Sequence, residues 1–252
     1  MKAKVAIVGV GNCASALVQG VHYYRNSNPD EAVGLAKYDI GGLKPYDIEF
    51  VSAFDVDENK VGKDLSEAIY ESPNNTIRIC DVPKLGIKVE KGVVIDGIGK
   101  YVKDVIRVSD KESVDVASVI KDSGADIVLN YVPVGSVKAT NFYAEQALKA
   151  RAAFINAMPV FIASNPDWQS RFSKSGLPVA GDDVMSQIGA TVLHKTLIKL
   201  LVDRGVKLDE TYQLNIGGDT DFLNMLEEER LIDKRESKTS AVRAMVPYHV
   251  PT

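Results

Sequence analysis

Residues 5–14 read Val5-Ala6-Ile7-Val8-Gly9-Val10-Gly11-Asn12-Cys13-Ala14, and this stretch decides the fold. Its first four residues form a short, fully apolar run, which is typical of a buried parallel strand. Apolar positions with helical spacing follow at Leu17, Val18 and Val21. A strand, a glycine turn and a helix in this order raise G-x-G-x-x-A above a chance match and predict a dinucleotide-binding unit. The alternative is a turn in which the glycines serve only the backbone conformation, with no ligand.

The glycines of this turn have different predicted tasks. Gly9 supplies the tight turn, and Gly11 lets a pyrophosphate approach the backbone. The following helix begins near Asn12, Cys13 and Ala14, where free N–H groups and the positive end of the helix dipole face the phosphates. A helix N-terminus can acidify a thiol such as that of Cys13. A small buried filler is nevertheless the favoured interpretation of this cysteine.

An acidic residue follows the second predicted strand, residues 49–54. Asp55 is predicted to accept a hydrogen bond from a ribose 2′-hydroxyl, which favours NAD over NADP because the carboxylate would repel a 2′-phosphate. Such an acid usually lies about 20 residues after the glycines. Here an insertion of residues 23–47 separates them, and its polar, glycine- and proline-rich composition predicts a loop over the site.

The strand–turn–helix pattern repeats as far as residue 183. Residues 56–70 are predicted as a helix that carries Asp64, and residues 114–123 as another. Strand 125–131 leads through Pro133 to Ser136, which is either an N-cap or a ligand contact, and then to a helix. Further strands are predicted at residues 153–156 and 178–181. These units predict an α/β fold with a Rossmann-type doubly wound parallel sheet over residues 1–183.

Residues 184–252 are predicted to form a second, α+β domain, to which the family resemblance described below assigns catalysis and oligomerisation. Asp182 or Asp183 is expected to cap a long helix, with Ser186 in its first turn. Residues 210–218 read as a strand that leads into Gly217-Gly218-Asp219-Thr220-Asp221. In an extended segment the two carboxylates of this run would point the same way.

Two lysines follow at helical spacing. Lys234 and Lys238 share one face of a predicted helix, where their repulsion costs about 0.2–0.5 kcal/mol. An anion such as a phosphate held between them would reverse the sign of that cost. The alternative is a solvated helix face, because Asp233 and Glu236 neutralise the lysines locally.

The amino-acid composition limits the classes of protein to which the chain can belong. The chain has 252 residues, 45% hydrophobic and 25% charged, which is ordinary for a soluble globular protein. A net charge of −4 argues against nucleic acid as a partner. No apolar run reaches the roughly 18 residues of a membrane span. The start of the chain has no signal-peptide pattern, and the two cysteines form no motif, so a reducing cytoplasm is expected.

Several motifs in one order resemble a single family, myo-inositol-1-phosphate synthase (inositol-3-phosphate synthase), and specifically its actinobacterial and archaeal-type branch. The resemblance covers essentially the whole chain. It is carried by residues 9–14, Ser72-Pro73-Asn74-Asn75-Thr76, residues 129–136, Gly181-Asp182-Asp183, residues 215–225 and Ser237-Lys238-Thr239.

The resemblance implies a redox-neutral conversion of D-glucose 6-phosphate to 1D-myo-inositol 3-phosphate with catalytic NAD, for inositol and phospholipid biosynthesis. Sugar C5 is oxidised, the C6 enolate attacks C1 in an intramolecular aldol, and the C5 ketone is reduced again. Both the enolate and the alkoxide develop negative charge, which lysines stabilise while they shuttle protons.

The resemblance also assigns roles to individual residues. The implied catalytic residues are Lys234, Lys238, Asp221 and Asp183. The implied cofactor contacts are Asp64, Ser123, Pro133, Ser136, Tyr143, Asp183, Ser186, Asp221 and Lys234, in addition to Gly9, Gly11, Asn12, Cys13, Ala14 and Asp55.

The chain departs from the family pattern in two places. Met185 stands where the family has lysine in Gly-Asp-Asp-x-Lys-Ser, and this removes a cation beside the cofactor and substrate. The family pattern also continues for about another hundred residues, with a further catalytic lysine and the rest of a tetramerisation sheet. The chain is therefore expected to be a fragment of a homotetramer subunit.

Other interpretations stay open at this point. The first half alone also fits an NAD-dependent dehydrogenase of a sugar phosphate or polyol. A shortened chain also fits an NAD-binding module without activity. Asp182, Asp183, Asp219 and Asp221 offer oxygen ligands to a divalent metal or a monovalent cation, but no His/Cys spacing demands one.

Overall fold

The computed structural model describes residues 2–25, 27–186 and 188–251. Within them, the chain forms six strands: β1 Ala3–Val8, β2 Ile48–Asp55, β3 Val89–Lys91, β4 Ile127–Asn130, β5 Ala153–Asn156 and β6 Val179–Ala180. The strands pair in parallel in the order β3-β2-β1-β4-β5-β6. This is the strand order of the Rossmann fold, so the predicted doubly wound α/β sheet is confirmed.

Helices connect and cover the strands. They are α1 Asn12–Tyr24, α2 Leu65–Ala68, α3 Val116–Asp122, α4 Val137–Ala150, α5 Pro166–Lys174, α6 Ala190–Asp203, α7 Thr220–Asn224 and α8 Ile232–Arg243. Short 3₁₀ helices lie at Pro29–Glu31, Pro45–Asp47, Val102–Asp104 and Glu228–Leu231. Among the described residues, no helix combines the length and the apolar character that crossing a bilayer requires.

The core consists of two apolar clusters, because the strands are buried on both faces. One cluster contains Val128 and Phe154 from the sheet, covered by side chains of α3, α4 and α5. The other contains Ile7 and Ala53, covered by side chains of α1 and α2. The sheet is therefore a rigid platform whose carboxyl edge carries the loops that follow each strand.

The predicted helix over residues 56–70 is mostly wrong. Only Leu65–Ala68 is helical, and Gly62 before it has φ of 95°, which a regular helix does not contain. The apolar positions were read correctly, since Val61, Leu65 and Ile69 are all buried. Asp64 is not inside a helix but is the N-cap of α2.

The insertion lies at the edge of the sheet opposite to the predicted one. It joins the C-terminal end of α1 to the N-terminal end of β2, and in a parallel βαβ unit both of these lie at the amino edge. The Tyr24 hydroxyl donates to the carbonyl oxygen of Val33, so the loop packs against the end of α1. The prediction that residues 23–47 cover the site is wrong.

The last part of the chain also differs from prediction. Residues 210–218 form no strand in the described chain, and Tyr212, Leu214 and Ile216 are 88%, 76% and 89% exposed. Alternating apolar residues form a strand only when a neighbouring strand accepts their backbone hydrogen bonds. The division into domains at residue 183 stays a prediction.

Candidate active site

The glycine turn lies at the carboxyl edge, between β1 and β4, where the strand order reverses. Gly9 has φ of 88°, and a Cβ atom on it would lie 2.5 Å from the carbonyl oxygen of Tyr131. Its N–H donates to the Phe54 carbonyl oxygen at 2.8 Å. Gly9 thus lets the loops after three adjacent strands meet, at the crevice where α/β sheets bind ligands.

Gly11 faces open space. A Cβ atom there would have no described atom within 4 Å. Gly11 is the N-cap of α1 without a side-chain hydrogen bond, and within the described chain the N–H groups of residues 12–14 donate to no protein oxygen. These free donors at a helix start, with space in front of them, suit the pyrophosphate of a dinucleotide.

Asp55 is held against this turn. Its Oδ2 atom accepts from the Val10 N–H at 2.7 Å, and its Oδ1 atom accepts from the N–H groups of Val56 and Asp57 at 2.7 and 2.9 Å. A carboxylate has about four acceptor positions, so one stays available on Oδ2. The ribose contact predicted for Asp55 has room, although the carboxylate also organises the turn itself.

The Ser72-to-Thr76 segment braces the turn from the other side. The Asn12 side-chain oxygen accepts from the Asn75 N–H and from both the N–H and the hydroxyl of Thr76, at 2.8 to 3.1 Å. The amide of Asn74 donates to the Val10 carbonyl oxygen at 3.0 Å. The side chain of Asn12 is therefore occupied by protein partners, and what it offers a cofactor is its backbone N–H.

A cavity of ≈1110 Å³ is lined by the loop after β6 and by residues of α6, α7 and α8. The four implied catalytic residues Asp183, Asp221, Lys234 and Lys238 all line it, together with Met185 and Ser186. Lys234 and Lys238 lie on α8 as predicted, and Asp221 lies in the first turn of α7. The expected extended conformation is found at Asp219, the N-cap of α7, which accepts from the Phe222 N–H at 3.0 Å, but it is wrong for Asp221, which lies inside the helix.

The charged groups of the cavity are not all paired. Lys234 Nζ lies 3.4 Å from Asp221 Oδ2. Lys238 has no carboxylate within ion-pair distance among the described residues, and burial, followed by the charge of Lys234, lowers the pKa of its ammonium group. The Ser237 hydroxyl donates to Asp183 Oδ2 at 2.5 Å, which fixes a carboxylate near the two lysines. The solvated helix face considered above is therefore wrong for Lys238.

Cys13 connects the cavity to the glycine turn. Its side chain is exposed, so the buried-filler interpretation is wrong. Partial loss of hydration, and then the Asp221 carboxylate, raise the pKa of its thiol, while Lys234 opposes this. The alternative, an acidified thiol, is also wrong, because the pKa is raised and not lowered. Asp221 and Lys234 must lie close to the start of α1 to act on this thiol.

Asp64, Ser123 and Tyr143 are among the predicted cofactor contacts that do not line the cavity. The Asp64 carboxylate accepts from the N–H groups of Ser66, Leu85 and Gly86, and these bonds outweigh desolvation and lower its pKa. The Ser123 hydroxyl lies at the end of α3, bonded to Ile120 and Ser52. Tyr143 is 3% exposed in the core, and burial raises the pKa of its phenol.

The loops after β4 and β6 carry the other predicted residues. Pro133 precedes Ser136, which is fully buried at the start of α4 and makes no capping bond; its hydroxyl accepts from Arg230 instead. Neither Asp182 nor Asp183 caps α6, whose N-cap is Gly189. Ser186 is exposed in the loop before that helix, so its predicted place in a first turn is wrong.

The Asp182 carboxylate accepts hydrogen bonds from residues that are distant in sequence. It accepts from the N–H groups of Ile162, Ala163 and Ser164, each at 3.0 Å, and from the amide of Asn156 at 2.8 Å. These bonds consume its acceptor positions. The described residues contain no group of three His, Cys, Asp or Glu side chains that could hold a metal ion.

Arg230 and Asn224 were missed by sequence reasoning. Both are buried, and both donate to the Val134 carbonyl oxygen, at 3.0 and 2.8 Å. Arg230 ends the acidic run Glu227-Glu228-Glu229, which is typical of a solvated face. In the sequence, the nearest indication of this buried arginine is the glycine that precedes Ser136. Gly135 leaves space for the arginine, because a Cβ atom there would lie 2.4 Å from Arg230 Cβ.

Comparisons with known proteins identify the family of this chain. The family model described as myo-inositol-1-phosphate synthase matches residues 189–252. An inositol-3-phosphate synthase from Mycolicibacterium smegmatis is 56% identical over 240 residues, which cover 95% of this chain and 66% of that protein. One from Corynebacterium glutamicum is 51% identical over 245 residues, covering 97% and 68%. The chain thus spans about two thirds of the length of these relatives.

Solved structures share the whole fold. The crystal structure of Ari2 has a TM-score of 0.78 and 32% identity, over 99% of this chain and 70% of that one. A myo-inositol-1-phosphate synthase-related protein from Thermotoga maritima has a TM-score of 0.72 and 26% identity, over 100% and 72%. The segment 184–251 is part of the likeness, because the alignments extend beyond the Rossmann sheet.

Proposed function

Because the chain belongs to the myo-inositol-1-phosphate synthase family, we propose that it carries out the redox-neutral cyclisation of D-glucose 6-phosphate to 1D-myo-inositol 3-phosphate. One observation carries the proposal. Two lysines and two aspartates line a single cavity that adjoins the glycine turn. A dehydrogenase of a small alcohol needs one proton acceptor, whereas this reaction develops negative charge at several oxygens.

The chain's own residues fit NAD. The free N–H groups at residues 12–14 and the open space at Gly11 suit a pyrophosphate, and the remaining acceptor position of Asp55 suits a ribose hydroxyl. A 2′-phosphate would meet the Asp55 carboxylate, which favours NAD over NADP. When bound, the cofactor supplies reversible hydride transfer at the sugar C5.

The two lysines are suited to different tasks. Lys238 has a lowered pKa, so a larger fraction of it is neutral and able to accept a proton from the sugar. Lys234 is an ammonium group ion-paired with Asp221 and can stabilise an enolate or alkoxide. Both amines also suit the phosphate of the substrate, which would relieve the repulsion between them.

Asp183 and Ser186 complete the wall of the cavity. Asp183 has φ of 62°, in the left-handed region that non-glycine residues rarely adopt, and its carboxylate is fixed by Ser237. This geometry holds a negative charge near Lys238, which limits how far the pKa of that lysine falls. Ser186, on the exposed side, offers a hydroxyl to the cofactor or sugar.

A homotetramer in the cytoplasm, serving phospholipid synthesis, belongs to the same proposal. Exposed leucines on α6, at positions 193, 197 and 200, give that helix an apolar outer face. Tyr212, Leu214 and Ile216 add a second exposed apolar row. Such rows favour association between subunits. Light scattering of the purified chain tests the assembly state.

The activity test separates three functions. The full chain is incubated with glucose 6-phosphate and NAD, while inositol phosphate is measured by mass spectrometry and NADH by its absorbance. Inositol phosphate without net NADH supports the cyclase. NADH in proportion to product identifies a dehydrogenase. NAD binding without any turnover identifies an inert module, and either of these last two results overturns the proposal.

A further inference from the structure

A buried guanidinium joins the catalytic helix to the Rossmann sheet. Arg230 is 8% exposed. Its Nε atom donates to the Val134 carbonyl oxygen at 3.0 Å, Nη1 donates to the Asp96 carbonyl oxygen at 2.8 Å, and Nη2 donates to the Ser136 hydroxyl at 3.1 Å. The planar fork thus holds two separate loops of the sheet's carboxyl edge at once.

The surroundings are shaped for this side chain. Gly135 has φ of 79°, and a Cβ atom there would overlap the Arg230 side chain. Gly99 is equally confined, since a Cβ atom on it would lie 2.6 Å from the Asn224 side-chain oxygen and 3.3 Å from Arg230 Cδ. Asn224 donates to the same Val134 carbonyl oxygen at 2.8 Å. Gly135 and Gly99 therefore leave the space that the Arg230 side chain fills, and Asn224 is a second hydrogen-bond donor at the same contact.

The charge at this point is not balanced by an ion pair. No carboxylate lies within ion-pair distance of Arg230 in the described part of the chain, and desolvation lowers its pKa. The Asp96 carboxylate instead caps α4 through the N–H groups of Lys138 and Ala139, at 2.7 and 2.8 Å. A buried charge of this kind contributes little to the free energy of unfolding. Its contribution is instead to fix the geometry of the contact between the α7–α8 segment and the sheet.

We propose that Arg230 is a positioning residue that fixes α7 and α8 on the loop after β4, and so sets Lys234 against the glycine turn. Lys234 follows four residues later, along the 3₁₀ helix Glu228–Leu231 and the first turn of α8. Without the hydrogen bonds of the Arg230 guanidinium, the segment from α7 to α8 can move away from the start of α1. The role assigned to Lys234 rests on the proposed function. The attachment of α7 and α8 to the sheet by Arg230, called the tether below, is tested without substrate.

Cys13 reports on the tether, because burial and then the charge of Asp221, a residue of α7, raise the pKa of its thiol. Cys80, whose thiol bonds the Gln19 carbonyl oxygen, is an internal control outside this contact. The full chain, without cofactor, is treated with a thiol reagent, and the labelling rate of each cysteine is followed by peptide mass spectrometry. We expect Arg230→Lys and Arg230→Met to accelerate labelling of Cys13 by about ten-fold, because a thiol released from the Asp221 charge forms the reactive thiolate more readily, and that of Cys80 by less than about two-fold.

A matched control and a milder variant complete the design. Arg243→Met removes an exposed arginine at the other end of α8 and should change neither rate. Ser136→Ala removes one acceptor of the fork and should accelerate Cys13 by about two- to three-fold. Equal acceleration of both cysteines, or an unchanged Cys13 in all variants, overturns the inference.

Turnover then tests the consequence for Lys234. In Arg230→Lys, kcat for inositol phosphate should fall by about ten-fold or more, because a displaced catalytic group loses its orientation. The dissociation constant of NAD should change by less than about three-fold, since the donors at residues 12–14 are untouched. An unchanged kcat overturns the positioning role. If the unsubstituted chain has no activity, the proposed function fails while the labelling result still decides the tether.

Discussion

The ammonium of Lys234 lies 3.4 Å from Asp221 Oδ2, a contact that joins α8 to α7 across the wall of the cavity. The side chain of Lys234 is 20% exposed and that of Asp221 is 41% exposed. A partly exposed pair at this distance is weak. Lys234 can therefore exchange the carboxylate for a developing oxyanion without a large cost.

Removal of this amine should abolish turnover. We expect Lys234→Ala to lower kcat by about 10²–10⁴-fold, the range for loss of a positioned proton-transfer group, while NAD still binds. Product formation and NAD titration measure the two effects. Lys199→Ala is the control, because Lys199 is an exposed lysine on α6 that pairs only with Asp203. Retained activity in Lys234→Ala would remove this residue from the mechanism.

The lowered pKa of Lys238 has a consequence for stability. Its folded-state pKa lies below its ordinary value of 10.5. Between these two values the unfolded chain binds more protons, so the free energy of unfolding rises with pH in that window. Lys238→Met should remove this rise. Urea denaturation of both proteins at several values from about pH 8 to 10 gives the difference, and parallel curves would contradict the shift.

The two turn glycines should respond differently to alanine. Gly9→Ala should destabilise the fold by about 1–2 kcal/mol from the left-handed backbone alone, with a further cost from the contact with Tyr131. Gly11→Ala has free space and should leave the melting temperature nearly unchanged. It should weaken NAD binding by about ten-fold, because the methyl group occupies the approach of the pyrophosphate. Unaltered NAD affinity in Gly11→Ala would place the cofactor elsewhere.

The acid after β2 should control cofactor choice. Asp55→Ala removes the charge that disfavours a 2′-phosphate, so the affinity for NADP relative to NAD should increase by about ten-fold. It also removes the acceptor of the Val10 N–H, so both affinities should fall somewhat. Glu49→Ala, at an exposed position of the same strand, should change neither. A constant ratio of the two affinities would show that the ribose contact lies elsewhere.

A cation restored at position 185 should improve the site. Met185 is 53% exposed and lines the cavity. Met185→Lys should raise kcat/KM for glucose 6-phosphate by about two- to five-fold, as expected for a partly exposed charge beside a phosphate. Met185→Gln keeps the length without the charge and should have no such effect. Equal behaviour of the two variants would make the family lysine dispensable here.

Local pattern was sufficient wherever a residue's partners lie close in sequence. The glycine turn, the buried parallel strands and the shared helix face of Lys234 and Lys238 were all predicted in this way. Each depends on the period of a helix or strand, or on a turn of a few residues, so the sequence carries the signal directly.

Prediction was less successful for polar residues whose partners are distant in sequence. Asp182 was read as a helix cap, but its partners precede it by 18 to 26 residues. The side-chain partners of Asn12, which the glycine-turn motif did not indicate, follow it by 63 and 64 residues. A carboxylate or an amide satisfies its hydrogen bonds with whichever groups the fold brings near, and spacing along the chain does not report them.

The sequence by itself determined the doubly wound parallel sheet, the glycine turn and the placement of two amines on one helix. Only the tertiary structure decided that Arg230, 96 residues after Val134, docks that helix onto the sheet, and that the insertion lies at the edge away from the site. The physical reason is the range of the interactions. Secondary structure follows from neighbours within a few residues, whereas a site is built from groups that meet only after the chain has packed.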